Sequence, residues 1–585
     1  MAIAAAPFTG AAPMRDTTVF DYIIVGGGTA GTVLANRLSA RSANSVLVCE
    51  AGQDTPPGKV PSEILDSHPG RAYMNPKYTW PGLKVHTRAI SHNQPEEGRA
   101  PARPYLQARV MGGGSSINGQ MANRGAPADY DEWEARGATG WNWENVLPYF
   151  KRLERDIDFD GPLHGKEGRI PITRIFPDLW SEHAKAIGKV FGSMGYKYLQ
   201  DQNGVFEDGY FPLPIANIYE TRVSAPMGYL DPTTRMRPNL RISPFTQVTE
   251  LLFDGKKCIG VKALRDGQEV TFHANEVVVS SGAIHSPTHL LRAGIGPAGQ
   301  LKDLGIEVRH HLPGVGVGLM DHPAVAISAF VKPFARMNYF TRRHHLLGLR
   351  FTSSIEGAQQ GDMFVVANTK SFWHAVGRQF GSMVIWANKT YSENGQVRLR
   401  SSDWRDQPIV EFNLLSDVRD FDRLVEAMRL MARVHEDPVM QDVSQDAFPA
   451  IWGERVQQFG AVNLPNKLFT DFAAKLLDGP RMLHDLMIRR FVWDRYSMKD
   501  ILEDEEKMDT FVREGTIGLW HASSSCRMGR PDDPMSVVDP AGRVKGVSGL
   551  RICDTSIFPV IPCANTFFPA MMAAEKISDS ILEGD

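Results

Sequence analysis

The sequence predicts an α/β fold of two interleaved domains. Three observations carry the prediction. A strand, a glycine turn, a helix and a second strand follow one another between Phe20 and Gly52. The 585 residues exceed what one hydrophobic core organises. No low-complexity linker or short internal repeat marks a place where one domain ends and another begins.

The first unit reads FDYIIVGGGTAGTVLANRLSARSANSVLVCEAG. Tyr22–Val25 is a short apolar run that feeds into Gly26-Gly27-Gly28-Thr29-Ala30-Gly31, and a second apolar run, Val46–Cys49, ends on Glu50. In such a Rossmann-like unit Gly26 allows the turn, Gly28 lets backbone approach a pyrophosphate, and Gly31 permits close packing of helix on strand. The helix N-terminus offers N–H groups and a positive dipole end to phosphates. Glu50 is placed to accept from ribose hydroxyls. Strand, turn, helix and acid together predict a dinucleotide site.

Later segments are read in chain order. Ala108–Gly125 holds Gly112-Gly113-Gly114-Ser115-Ser116, which is either a plain glycine-rich turn or a loop whose backbone lies against a flat ligand. Asp129–Trp133 leads into a helix over the end of 140–150, with Asn142 or Asn145 as its cap. Leu240–Leu252 and Gly260–Leu264 alternate like hairpin strands. Glu276–Leu291 reads as a buried strand, a turn and a helix start, and Gly314–Gly318 with Asp321-His322-Pro323 as a second glycine-dense loop. Met383–Ala387, Gln396–Leu399 and Ile409–Phe412 are expected strands of an antiparallel floor, and Leu502–Lys507 is a solvated acidic helical patch.

Composition narrows the class. Hydrophobic and charged residues make up 42% and 22% of the chain, which is ordinary for a globular enzyme. A net charge of −3 gives no reason to expect nucleic acid or an anionic membrane as partner. No apolar run reaches the ~18 residues of a membrane helix, and residues 1–19 read as a disordered tail, so the cytoplasm is the expected location. Five widely spaced cysteines without a CxxC predict neither a disulfide framework nor a metal site.

Near the end, Ile517–Gly529 sets His521 where an apolar run meets a small-residue loop, and Asp554–Pro559 and Asn565–Ala570 precede an alanine- and methionine-rich helix, Met571–Leu582. By spacing alone His521 reads as a structural histidine.

Four separated motifs, Tyr22–Gly52, Ala108–Gly125, Gly282–Gly296 and His521–Asn565, occur in the order found in the glucose–methanol–choline (GMC) oxidoreductases, flavoproteins that bind FAD, and nearly the whole chain after Phe20 resembles that family. Within it, DYDEWEARGATGWNWENVLPYF and FPLPIANIYETRVSAPMGYLDP are most similar to bacterial oxidases of 5-hydroxymethylfurfural and related aryl or primary alcohols. The resemblance implies a GMC fold: a discontinuous FAD-binding domain of 20–165, 225–325 and 515–585, and a substrate-binding domain of 166–224 and 326–514 built on an antiparallel sheet with helices.

The resemblance also implies roles. Gly26, Gly28, Thr29, Ala30, Gly31, Glu50 and Ala51 would hold the ADP half of FAD, with Val248 on the adenine side. Trp80, Met111, Gly113, Gly114, Ser115, Asn118 and Asn123 would lie along the pyrophosphate and flavin, and Trp520, Asp554, Asn565 and Thr566 at the ribityl chain and ring edge. His521 would be the catalytic base and Asn565 its partner over the substrate oxygen. Ile117 stands where choline oxidase-like relatives carry a flavin-linked histidine, which implies non-covalent FAD. Ser524 and Ser525 stand where glycine and threonine are usual, His289 and Ala293 replace an aliphatic residue and a serine, and Gly318 replaces an asparagine.

The implied activity is oxidation of a small primary alcohol to the aldehyde, with O2 reduced to hydrogen peroxide. The alternatives are a dehydrogenase using a quinone or other acceptor, a flavin-dependent hydroxynitrile lyase, and a non-catalytic flavin-binding protein. The pocket wall is expected from 333–515, which contains Phe372-Trp373-His374, Trp386 and Phe491-Val492-Trp493, although each taken singly reads as core. Aromatic walls suit furan or benzyl alcohols better than sugars. Arg342-Arg343-His344-His345 reads as a solvated basic loop or a contact for an anionic substrate.

Overall fold

The computed structural model describes residues 19–88, 100–488 and 496–584. The expectations for the tail before Val19 and for Phe491 and Trp493 lie outside the described residues.

Strands β1 (Val19–Val25) and β2 (Val46–Cys49) form where the pattern places them and pair in parallel, joined by helix α1 (Thr29–Ser39). All of β2 and the last three residues of β1 are buried, as strands covered on both faces require. Strand β3 (Gln268–Val279) lies parallel to β1 on its other side. Leu240–Ser243 pairs in parallel with β2, and Leu550–Ile552 with the end of β3. Thr246–Asp254 and Lys257–Arg265 form the antiparallel hairpin at the sheet's edge. The expected strand over 240–252 is thus two strands. Pro244 cannot donate to a ladder, Phe245 turns the chain at φ +50°, and the halves go to different neighbours. Helix α2 (Gly282–Arg292) follows β3, and α3 (Phe567–Glu583) packs along α1, where Arg37 pairs with Asp579 at 2.6 Å.

A second sheet contains β4 (Pro323–Val331), β5 (His345–Phe351), β6 (Met363–Asn368) and β7 (Phe380–Ala387). Its order is Ser444–Ala450, β4, β7, β6, β5, Gly209–Pro212, every pairing antiparallel, and Ile517–Gly518 joins the start of β4. Only the first of the three expected floor strands belongs to it. Gly395–Arg398 and Ile409–Leu414 form a small separate sheet with Val317–Leu319, Lys84–Arg88 and Arg103–Pro104. Alternation identifies a strand, but its partner is set by distant chain.

Asn142, not Asn145, caps its helix by accepting the Asn145 N–H at 3.0 Å. The acidic run 502–507 spans a break between Met498–Glu503 and Glu505–Gly515, where the Asp504 carboxylate accepts the Lys507 N–H. Arg342–His345 is not a solvated loop: Arg343 and His344 are buried, and the two arginines are engaged with Asp66 and Glu220. The five cysteines are free and buried. Among the described residues no helix is long and apolar enough to cross a membrane.

Candidate functional site

A cavity of about 1270 Å³ runs without interruption from Gly26 and Glu50 to His521 and on to the face of the second sheet. Pockets for small ligands hold roughly 300–1,000 Å³, so this one accommodates a large cofactor together with a substrate. At one end lies the glycine turn. Gly26 has φ +105°, and a Cβ there would stand 2.4 Å from the Ser280 carbonyl oxygen. The N-cap of α1 is Gly28, which has no side chain to occupy the first-turn N–H groups, leaving them free for an anion. Both Glu50 oxygens accept from backbone, Oε2 from Gly27 N–H at 2.9 Å and Oε1 from Gly52 N–H at 2.7 Å. Each keeps a further lone pair for a ribose hydroxyl. Burial raises the pKa of this carboxyl.

The second glycine loop docks on the first. Gly112 N–H donates to the Gly27 carbonyl at 2.7 Å and Ser115 N–H to Thr29 Oγ1 at 3.3 Å. Arg222 braces it from behind, donating to the Ser115 carbonyl at 3.1 Å and to Asn118 Oδ1 at 2.9 Å. A Cβ on Gly114 would meet nothing within 4 Å. Thr29, Ala30, Ala51, Trp80, Gly113 and Val248 also reach the wall, as do Trp520, Asp554, Thr566, Trp386 and Phe372. Asp554 is held by N–H donors from Gly282 and Ser556 and by the Ser286 hydroxyl at 2.5 Å. The uncapped helix, the open glycines and the volume fit an adenine dinucleotide.

Four expected residues are not on the wall. Gly31 is buried with its would-be Cβ 2.0 Å from the Gly26 carbonyl oxygen, a packing position. Met111 packs its sulfur under Gly27. Asn123 lies behind Asn565, accepting its backbone N–H at 3.3 Å. Trp373 turns away and donates its indole N–H to the Gly460 carbonyl at 2.7 Å.

His521 sits just after the short strand that pairs with β4. Asn565 Nδ2 lies 3.0 Å from His521 Nε2. An amide N–H only donates, so Nε2 presents its lone pair. The proton of the neutral ring then rests on Nδ1, which donates to Nδ1 of His322 at 2.8 Å. Asp321 holds the same loop, since its Oδ1 accepts N–H groups of Leu519, His521 and His322 at 2.8–3.0 Å. Burial, then the neighbouring His322, keeps the His521 pKa well below the usual imidazole range, so the ring is neutral at pH 7. The flanking backbone is strained: Trp520 and Ser524 have φ +60° and +70°, the latter where glycine is usual in the resembled family.

His322 and Asp321 adjoin His521, and the sequence shows them only as part of a loop. Their adjacency to His521 depends on strand pairing across 199 residues, and no local spacing signals it. Trp386, Phe372 and Trp452 line the chamber beside His521; Trp386 is backed by the buried Phe364 at 4.6 Å, and Phe372 stacks on Trp452 at 5.7 Å. Away from the site, Glu154, Asp156 and His164 cluster closely enough to hold a metal ion, but Arg124 and Arg174 already pair with the two carboxylates.

A family model described as GMC oxidoreductase matches residues 20–324, and a second with the same description matches 390–574. The chain is 41% identical over 571 residues to a 5-(hydroxymethyl)furfural oxidase of Methylovorus sp. (strain MP688), covering 97% of this chain and 99% of the relative. It is 31% identical to an oxygen-dependent choline dehydrogenase of Sinorhizobium fredii (strain NBRC 101917 / NGR234), covering 96% and 95%. The crystal structure of pyridoxine 4-oxidase from Mesorbium loti superposes with a TM-score of 0.78 at 24% identity, covering 97% and 100%.

Proposed function

The chain belongs to the GMC oxidoreductase family, and from that premise we propose that it is an FAD-dependent oxidase of primary aryl or furan-type alcohols with His521 as its base. Per turnover, the alcohol loses two electrons and two protons to become the aldehyde, and O2 gains them as hydrogen peroxide. FAD, when bound, supplies the two-electron acceptor between them. The residues that would hold it are the α1 turn, Glu50, the 113–115 loop, Asp554 and Thr566. Ile117, on the cavity wall, carries no nucleophile, which supports non-covalent attachment.

The observation that carries the reading is the pair His521–Asn565 at 3.0 Å, opening on an aromatic chamber. A carbinol hydroxyl that displaces the hydrogen bond between them donates to Nε2 and accepts from the freed Asn565 N–H. Its proton is held far more tightly than imidazole can match, so transfer accompanies loss of electrons from the carbon. A base placed this way contributes on the order of 10²–10⁴ in rate. Burial serves the same end, because it keeps His521 in the accepting form. The Asn565 amide offers its hydrogen bond as charge grows on the oxygen.

Trp386, Phe372 and Trp452 on the wall support an aryl or furan substrate, as does the activity for which the 41% identical relative is named. The two large sheets support the domain division given above except where its 325/326 boundary cuts β4 and where Ile517–Gly518 joins that strand, and the small sheet draws strands from both parts. The test is His521→Ala, expected to keep bound flavin and lose about 10²–10⁴ in turnover of benzyl alcohol. Anaerobic flavin bleaching by that alcohol at near the wild-type rate in the variant would overturn the assignment.

A further inference from the structure

The face of the second sheet that lines the cavity changes character along its strands, and the pairing register shows where. At the end next to His521, Ala324 pairs with Ile517 on one side and Trp386 on the other, an aromatic tier. Two residues further on, Ala326, Val384 and Val366 pair across β4, β7 and β6, an apolar tier. After two more come Ser328, Ser382 and Asn368, with His345 of β5 completing the row. Each residue so named lines the cavity. Four residues of antiparallel strand separate the Trp386 tier from the Ser382 tier, about 13 Å.

Polar side chains facing inward from an otherwise apolar sheet require partners, and this row does not satisfy itself. Asn368 donates from Nδ2 to Ser382 Oγ at 3.2 Å and accepts at Oδ1 from His345 Nδ1. That leaves the Ser382 hydroxyl proton and His345 Nε2 uncommitted. Ser328 makes no side-chain hydrogen bond among the described residues. A Cβ on Gly119 would lie 2.6 Å from His345 Nε2, which brings the adjoining Gln120 to the same end of the cavity. Gln120 is 1% exposed, donates to the Ser67 carbonyl at 2.8 Å, and leaves Oε1 buried with no partner.

We infer that Ser328, Ser382, Asn368, His345 and Gln120 form a distal subsite for an uncharged hydrogen-bonding group, such as an amide or carbonyl, at the far end of an elongated alcohol whose carbinol reacts at His521. Donors and acceptors are both free there, as an amide requires. Burial lowers the His345 pKa to about 4, so the row carries no cation that would favour a carboxylate. This inference rests on the proposed reading of the site as that of an alcohol oxidase, and the experiment separates the two.

The FAD-loaded enzyme is assayed for peroxide with benzyl alcohol, with 3-[4-(hydroxymethyl)phenyl]propanamide, and with its apolar isostere 4-(3-methylbutyl)benzyl alcohol. No peroxide from benzyl alcohol or either derivative defeats the oxidase reading and the subsite with it. With turnover established, the subsite predicts that kcat/KM for the amide exceeds that for the isostere by about tenfold or more, since a site built to hydrogen-bond rejects an analogue lacking the group. Asn368→Leu should bring that ratio to about one, and Ser382→Ala, a smaller change, should lower it. The non-oxidisable 3-(4-methylphenyl)propanamide, titrated by its perturbation of flavin absorbance, should bind about tenfold more weakly to either variant. Equal kcat/KM for amide and isostere in the wild type, or a preference that survives in Asn368→Leu and Ser382→Ala, overturns the subsite while leaving the oxidase reading intact.

Discussion

A neutral imidazole has one proton to place, and at His521 its position is decided by the partner on the far nitrogen. His322 accepts at Nδ1, so Nε2 keeps its lone pair, which accepts the Asn565 amide N–H in this structure and, in the proposed mechanism, is handed to the substrate hydroxyl. His322→Leu removes that acceptor at similar volume and lets the proton settle on either nitrogen. The expected outcome is a loss of about 10²-fold in the rate of anaerobic flavin reduction, with flavin content retained and KM changed far less than kcat. In His322→Asn the Oδ1 atom stands near the former Nδ1 position and should recover the rate to within about tenfold of wild type. Equal impairment of both variants would show a steric role instead. Because His521 titrates well below ordinary imidazole, kcat/KM of the wild type should stay level as pH falls through 6.5. A drop centred at 6.5 would contradict that environment.

At the scale of an element, the loop carrying His521 is tied to β4 by one carboxylate oxygen that accepts three N–H groups. Asp321→Leu leaves all three donors buried and unpaired. Unsatisfied groups cost about 1–3 kcal/mol each, so denaturant titration of the FAD-loaded protein should show a loss of at least about 3 kcal/mol. A loss under about 1 kcal/mol would mean the loop stands without Asp321. This tie also marks where sequence reading stops. The unit from β1 to Glu50 was legible because glycine, helix and acid positions are dictated within about thirty residues by one ligand's shape. His521 and Asn565 were legible through resemblance, and they lie 3.0 Å apart on the cavity wall. The two-strand nature of 240–252, the separate small sheet, and the contact of His322 with His521 were not. Each depends on which strand lies beside which, and alternation within a segment carries no record of its neighbour. Met111 and Asn123 show the same limit at finer grain, since a motif places a residue near a ligand without saying which side of the loop it occupies.

For the molecule as a whole, many histidines are buried and held neutral. His68, His183, His289 and His322 have pKa values lowered to about 3, and His285, His345, His374 and His435 to about 4, in every case chiefly by burial. The unfolded chain binds protons at these positions below about 6.5 and the folded chain does not, so the stability they contribute is present above 6.5 and is lost as pH falls toward the folded values. Each costs up to about 1.4 kcal/mol per pH unit in that range. His164 runs the other way: its N–H groups donate to carboxylate neighbours, which outweighs burial and raises its pKa to about 10, so its contribution is complete below 6.5 and is lost as pH rises from 6.5 to 10. One histidine against these eight, with His344 and His521 lowered as well, predicts a steep fall in melting temperature between pH 7 and pH 5. Equal melting temperatures at pH 7.5 and 5.5 would refute it. The buried cysteines have a different consequence for an enzyme that makes an oxidant at every turnover. Their thiols are pushed up, Cys49 to about 12 and Cys258 to about 11, and Cys526, Cys553 and Cys563 likewise upward. Sulfenic acid forms from the thiolate and needs access, so the catalyst is armoured against its own exhaust, and its working lifetime is set elsewhere than at sulfur of this kind.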